Sequence, residues 1–209
     1  MLQPVPPRAN PVTVALIACG ALGREVRAIV ARRGWDASVV SVSALDHLYP
    51  ERIAADVERL LVELADDYDR RVVVYGDCGT RGALDAVLAR HGVARIDGPH
   101  CYELYAGQAF AELMAAEPGT FFLTDFLVRS FEGTVIRGLG LDRFPELQAD
   151  YFGHYRRVVY LSQVSDPDLV AKAGKVAQRL GLPLNVHHTG YGQLESRLAE
   201  AMELEPARG

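Results

Sequence analysis

Hydrophobic and polar positions along this chain switch repeatedly between two periods. Seven short runs rich in β-branched and aromatic residues read as strands: 13–18 (TVALIA), 37–42, 71–75 (RVVVY), 92–96, 119–123 (GTFFL), 158–161 (VVYL) and 184–186. Between them lie stretches that are apolar at helical spacing. Leu22, Val26, Ile29 and Val30 share one face of a helix over 22–33, and Ile53, Val57, Leu60, Leu61 and Leu64 one of a helix over 50–64. Further helices are predicted over 81–90, 104–115, 125–131, 166–180 and 194–202, with Asp166 as an N-cap. Continuous apolar strands alternating with helices predict an α/β fold: a mostly parallel sheet with helices on both faces, in a single domain over 12–204. Right-handed crossovers then gather the strand C-termini on one edge, where open α/β sheets bind their ligands. Residues 133–155 break the rhythm with Gly138, Gly140, Pro145 and the aromatics Phe144, Tyr151, Phe152 and Tyr155, and read as an irregular insertion or lid. The Pro-rich residues 1–11 read as a disordered or extended segment.

The bulk numbers narrow the partners. The chain has 209 residues, 49% hydrophobic and 23% charged, enough for one domain with a full core. Its formal net charge is −5, and its basic spots (Arg32-Arg33, Arg70-Arg71, Arg156-Arg157) are short, which argues against nucleic acid. The apolar runs are strand-sized, so no membrane span is expected, and no signal-peptide pattern precedes them. Three cysteines with no export signal point to a reducing, cytoplasmic setting rather than a disulfide framework.

Those three cysteines change the picture most. Cys19, Cys78 and Cys101 each follow a predicted strand, in the segments Ala18-Cys19-Gly20, Gly76-Asp77-Cys78-Gly79-Thr80 and His100-Cys101-Tyr102-Glu103. The other residues just past strand ends are also polar: Asp77, His100, Glu103, Thr124, Asp125, Gln163, His187 and His188. Thiols gathered on one edge would suit three chemistries. Three cysteines can hold an iron–sulfur cluster with one iron open to substrate. Three thiolates, or two and a histidine, can hold zinc. A single metal-free cysteine nucleophile could take His100, His187 or His188 as base. The plainer alternative is three unrelated buried thiols. The glycine spacing after Cys19 does not fit GxGxxG, so no dinucleotide is expected. His47, His91 and His154 read as surface or boundary residues.

The motifs Cys19-Gly20-Ala21-Leu22, Tyr75-Gly76-Asp77-Cys78-Gly79, His100-Cys101-Tyr102-Glu103 with Gly107, Phe122-Leu123-Thr124-Asp125-Phe126 and Leu139-Gly140-Leu141 together resemble an uncharacterised family, number 1638 among the domains of unknown function. The resemblance spans about Val14 to Leu198. It maps the family's cysteines onto Cys19, Cys78 and Cys101. Members tend to be encoded near corrinoid-dependent methyl-transfer systems, which implies a corrinoid protein or methyltransferase as a partner. The expectation is therefore a metal centre, iron–sulfur or zinc, on Cys19, Cys78 and Cys101. His100, Glu103 and Asp77 are its catalytic candidates, with Thr80, Thr124, Asp125, Gln163, His187 and His188 nearby. It would act on a small molecule in one-carbon, sulfur or corrinoid-linked metabolism. A non-catalytic carrier for a methyl-transfer system is the alternative, beside the metal-free cysteine enzyme.

Overall fold

The first apolar run becomes β1 (Val14–Cys19), every residue of which is buried. A strand covered on both faces needs no polar side, which is why its sequence does not alternate. Helix α1 (Gly23–Arg33) follows and stops at Gly34, whose φ of 63° reverses the chain. Then come β2 (Ala37–Val42), a 3-10 turn (Ala44–Leu48), α2 (Ile53–Glu63), β3 (Arg70–Val74) and α3 (Ala83–Arg90). The second half runs through α4 (Cys101–Ala106), α5 (Gln108–Ala116), β4 (Thr120–Thr124) and α6 (Asp125–Phe131). A π-helical turn (Glu132–Arg137), α7 (Gln148–Phe152), β5 (Arg157–Ser162), α8 (Pro167–Leu180), β6 (Leu184–His188) and α9 (Leu194–Glu203) complete it. These elements come from a computed structural model that describes residues 13–98 and 100–203. The expected N-terminal segment 1–11 lies outside the described residues, as do both ends of the expected domain, 12 and 204.

The fold is a single α/β domain with parallel strands, but the strands form two sheets rather than one. The first has the order β2-β1-β3 and the second β4-β5-β6. In register, Ile17 of β1 lies between Val40 and Val73, and Tyr160 of β5 between Leu123 and Val186. The expected strand over 92–96 contributes only an isolated bridge, Arg95 to Val73. Gly92 sits at φ 61° and turns the chain there, so the pairing does not extend. The expected helix over 104–115 is cut in two at Gly107, with φ 54° and ψ −132°. Asp166 does cap α8, accepting the N–H groups of Asp168 and Leu169, with Pro167 in the first turn.

Helix α4 is the wedge between the two sheets. Leu104 and Tyr105 enter the core around β1, while Tyr102 packs with Phe110 on Phe122, Val159 and Leu161 of the second sheet. Helix α9 follows the last strand yet returns to the first half, where Leu194 and Leu198 join the same core. Glu195 there accepts from Arg32 and Arg33. Residues 133–155 pack Ile136, Leu141 and Phe152 into the core of the second half. Among the described residues, no helix is long and apolar enough to cross a membrane.

Candidate functional site

The C-terminal ends of both sheets open onto one cavity of about 200 Å³. Ala21 reaches it from beyond β1, Ala44, His47 and Leu48 from beyond β2, and Cys78 from beyond β3. The second half supplies Thr124, Phe126 and Leu127 from the start of α6, and Thr134 and Val135 from the π-helical turn. His100, Cys101 and Tyr102 close it from the start of α4. Most of this wall is carbon, with a few polar groups among it, the usual character of a small-molecule site.

His47 is the residue that sequence reasoning missed. In the sequence it reads as an ordinary surface or boundary histidine, because it lies five residues beyond β2 rather than just past the strand end. The 3-10 turn Ala44–Leu48, capped by Ser43 accepting the Leu45 N–H, carries it back over the strand ends. Its Nδ1–H donates to the Ala44 carbonyl at 2.9 Å, which leaves Nε2 facing the Cys19 sulfur at 3.9 Å. The ring stacks on Tyr75, with centroids 5.9 Å apart. Burial lowers its pKa, but hydrogen bonds to Cys19 and Cys78 and the negative charge those thiols can carry outweigh it and push the value from 6.5 up to about 11. Solvent reaches the exposed ring and screens part of this attraction. The direction is what matters: the two thiols favour the protonated ring.

The three cysteines have different surroundings. Cys19 is buried, and its sulfur accepts the Ala21 N–H at 3.4 Å. Cys78 is half-buried and sits on left-handed backbone, with φ 45°. The Cys101 thiol lies under α4, where burial and then the charges of Cys19 and Cys78 push its pKa well up. They do not make the expected metal centre. Among the described residues, no three or more His, Cys, Asp or Glu side chains form a group that could hold a metal ion. The iron–sulfur cluster, the zinc site and the cysteine triad are therefore withdrawn, and with them the metal-dependent function and the carrier reading. The three cysteines do not come close enough together, with one another or with other ligating side chains, to share one ion. Among the described residues the histidine that reaches a cysteine is His47, not His100, His187 or His188.

Other expected site residues divide into those at the cavity and those spent on structure. His100 and Thr124 line it. His100 packs edge-on against Phe110 at 4.7 Å, and its buried Nδ1 has no hydrogen-bond partner among the described residues. Asp125 and Gln163 instead form a buried lock between β4 and β5. Asp125 Oδ1 accepts the Tyr160 hydroxyl at 2.6 Å and the Gln163 N–H at 3.0 Å, and Gln163 Oε1 accepts the Asp125 N–H at 2.7 Å. Glu103 lies in the first turn of α4, outside the cavity wall. His187 and His188 end β6 in exposed positions, with His188 Nδ1 3.4 Å from the Ser162 hydroxyl.

Asp77 and Thr80 build the turn that holds Cys78. Asp77 Oδ1 accepts the Thr80 hydroxyl at 2.7 Å and the Gly82 N–H at 3.1 Å, and its Oδ2 accepts the Arg81 N–H at 3.3 Å. Cys78 and Arg81 both occupy positive φ there, a conformation that costs a non-glycine residue about 1 kcal/mol or more. The bond from Thr80 holds the Asp77 carboxyl below its usual pKa, helped by the Gly82 and Arg81 N–H groups. Asp77→Ala is expected to lower stability at pH 7 by about 1–2 kcal/mol. A depressed carboxylate stabilises the fold above its unfolded pKa and loses that contribution as pH falls through the folded value. Denaturant midpoints of wild type and variant should therefore converge below pH 3.8. A gap that stays constant across that range would show that the charge is irrelevant to the turn.

The family model described as "Protein of unknown function (DUF1638)" matches residues 43–198. The chain belongs to this family. The match covers every strand from β3 to β6 and all of the cavity wall except Ala21. No curated protein and no solved structure matches the chain.

Proposed function

We propose that the chain binds a small, largely apolar organic molecule in the cavity where the two sheets meet, with one polar group of the ligand turned to His100. The observation that carries this reading is a carbon-lined cavity of about 200 Å³ beyond the strand C-termini, with the His100 side chain in its wall. An apolar cavity of roughly 150 Å³ is enough to take up benzene, so the room suffices for a substituted ring or a short chain. The position supports the same reading, since open α/β folds place ligands beyond the strand C-termini.

Phenol and toluene, nearly equal in size, separate the two elements of this reading. Both are expected to bind the full chain in calorimetric or saturation-transfer titrations, phenol about tenfold more tightly. His100→Phe keeps the ring packing on Phe110 and should bring phenol down to the toluene level. Failure of both probes to bind at millimolar concentration would overturn the reading.

A further inference from the structure

Helices α6 and α8 lie against each other over the second sheet and share one core beneath them. Between them runs a cleft of about 270 Å³ that has no wall residue in common with the cavity at the strand ends. Its floor is carbon, from the buried Val128, Phe131 and Val176. Four basic side chains stand around that floor, Arg129, Lys172, Lys175 and Arg179, against one carboxylate, Glu132. The chain has 22 basic side chains, of which only Lys172 and Lys175 are lysines, and both stand in this one wall. With Arg179 they follow one another at spacings of three and four along α8, so the three stack on one side of the helix. Like charges at those spacings destabilise a helix, so the arrangement brings the fold itself no benefit.

The partners of these cations are unevenly shared. Arg179 donates to Glu132 at 2.8 Å, and Arg129 lies 3.6 Å from the Asp125 carboxylate. Neither lysine has an ion-pair partner among the described residues, although Asp168 stands one turn before Lys172. Two of the four cations are therefore unmatched, in a chain whose formal net charge is −5. A carbon floor under charges of one sign focuses their field on whatever enters the cleft. Arg129 is also held in place, because Asp125 is itself fixed by the Tyr160 hydroxyl and the Gln163 N–H.

We infer that this cleft binds a phosphoryl dianion, free or as a monoester, with Lys172 and Lys175 matching its charge and Arg129 donating to its oxygens. Three features select that class. A phosphate monoester carries about −1.5 to −2 at pH 7, which two unmatched ammonium groups balance, whereas a carboxylate would balance one. Its terminal oxygens accept donors from several sides at once, and these donors come from two helices. The size of the cleft suits a small molecule rather than a macromolecular surface.

Calorimetric titration of the full chain with inorganic phosphate, glycerol 3-phosphate and acetate, in a low-salt buffer free of phosphate, tests this. The phosphoryl ligands should bind at least tenfold more tightly than acetate, and their affinity should fall as sodium chloride is added. Tighter binding of glycerol 3-phosphate would identify an ester as the ligand, and tighter binding of phosphate the free ion. The double variant Lys172→Gln, Lys175→Gln should lose about tenfold or more in phosphoryl affinity. Its urea midpoint should not fall, because neither lysine holds an ion pair. Amine acetylation gives a second readout on the unmodified sequence: mass spectrometry should show both lysines protected by phosphate and not by acetate. Acetate as tight as phosphate, a double variant that binds phosphate like wild type, or no phosphoryl binding at millimolar concentration would overturn the inference. Phenol and toluene report on the cavity alone, so either reading can fall without the other.

Discussion

Gly192→Ala is expected to destabilise the chain severely, by about 3 kcal/mol or more, whereas Gly190→Ala two positions earlier should cost only about 1 kcal/mol. Both glycines sit at positive φ, 52° and 57°, so the backbone strain of an added Cβ is similar. The difference is space. A Cβ at Gly190 meets nothing within 4 Å, while one at Gly192 would lie 2.6 Å from the Leu104 carbonyl oxygen and closer still to that of Tyr105. The neighbouring Gln193 N–H donates to the same Leu104 carbonyl at 2.8 Å. The start of α9 is thus pressed against the end of α4, and α4 carries His100 and Cys101 into the cavity wall. Denaturant midpoints of the two variants give the comparison directly. Phenol affinity should fall in Gly192→Ala and hold in Gly190→Ala. Equal loss of stability in both would mean that backbone strain, not the close approach, governs this loop. The His187–Gly192 segment then matters through packing rather than through its histidines.

What the sequence made legible follows from how local each feature is. The all-apolar β1, the capped and amphipathic α8 and the parallel alternation are properties of short windows, and they survive in the structure. The split into two sheets is not local. It depends on whether the chain after β3 adds a neighbouring strand, and the single bridge at Arg95 followed by the α4 wedge is a tertiary outcome. The same distinction applies at the site. That residues beyond strand ends line a cavity was readable, and His100, Cys101, Cys78 and Thr124 all do. Where their side chains point was not. The metal expectation required three sulfurs close to one point, and among the described residues no such ligating group forms. His47 itself was discoverable. It lies five residues past β2, the same kind of position that drew notice after other strands.

Asp125→Ala tests whether the second sheet is held by its polar lock, and a loss of about 3–5 kcal/mol is expected. Removing the carboxylate strands the Tyr160 hydroxyl and the Gln163 N–H, both buried, and each orphaned donor costs about 1–3 kcal/mol. Arg129 also loses its partner, 3.6 Å away one helical turn on. Asp125→Asn keeps an oxygen in place for the Tyr160 and Gln163 donors and gives up only the charge, so about half the loss should return. Tyr160→Phe removes one donor together with the need for it, and should cost about 1 kcal/mol. The ordering Ala, then Asn, then Phe is the signature of a hydrogen-bonded lock, and urea midpoints with an unchanged slope would establish it. Its chain neighbours Thr124 and Phe126 line the cavity, though Asp125 itself does not. A carboxylate that served the ligand rather than the fold would give the opposite result: Asp125→Asn as stable as wild type, but unable to bind phenol. Stability that falls while the folded variant still binds phenol normally places Asp125 in the scaffold, where its hydrogen bonds to Tyr160 and Gln163 tie α6 to β5 and so fix one side of the cavity.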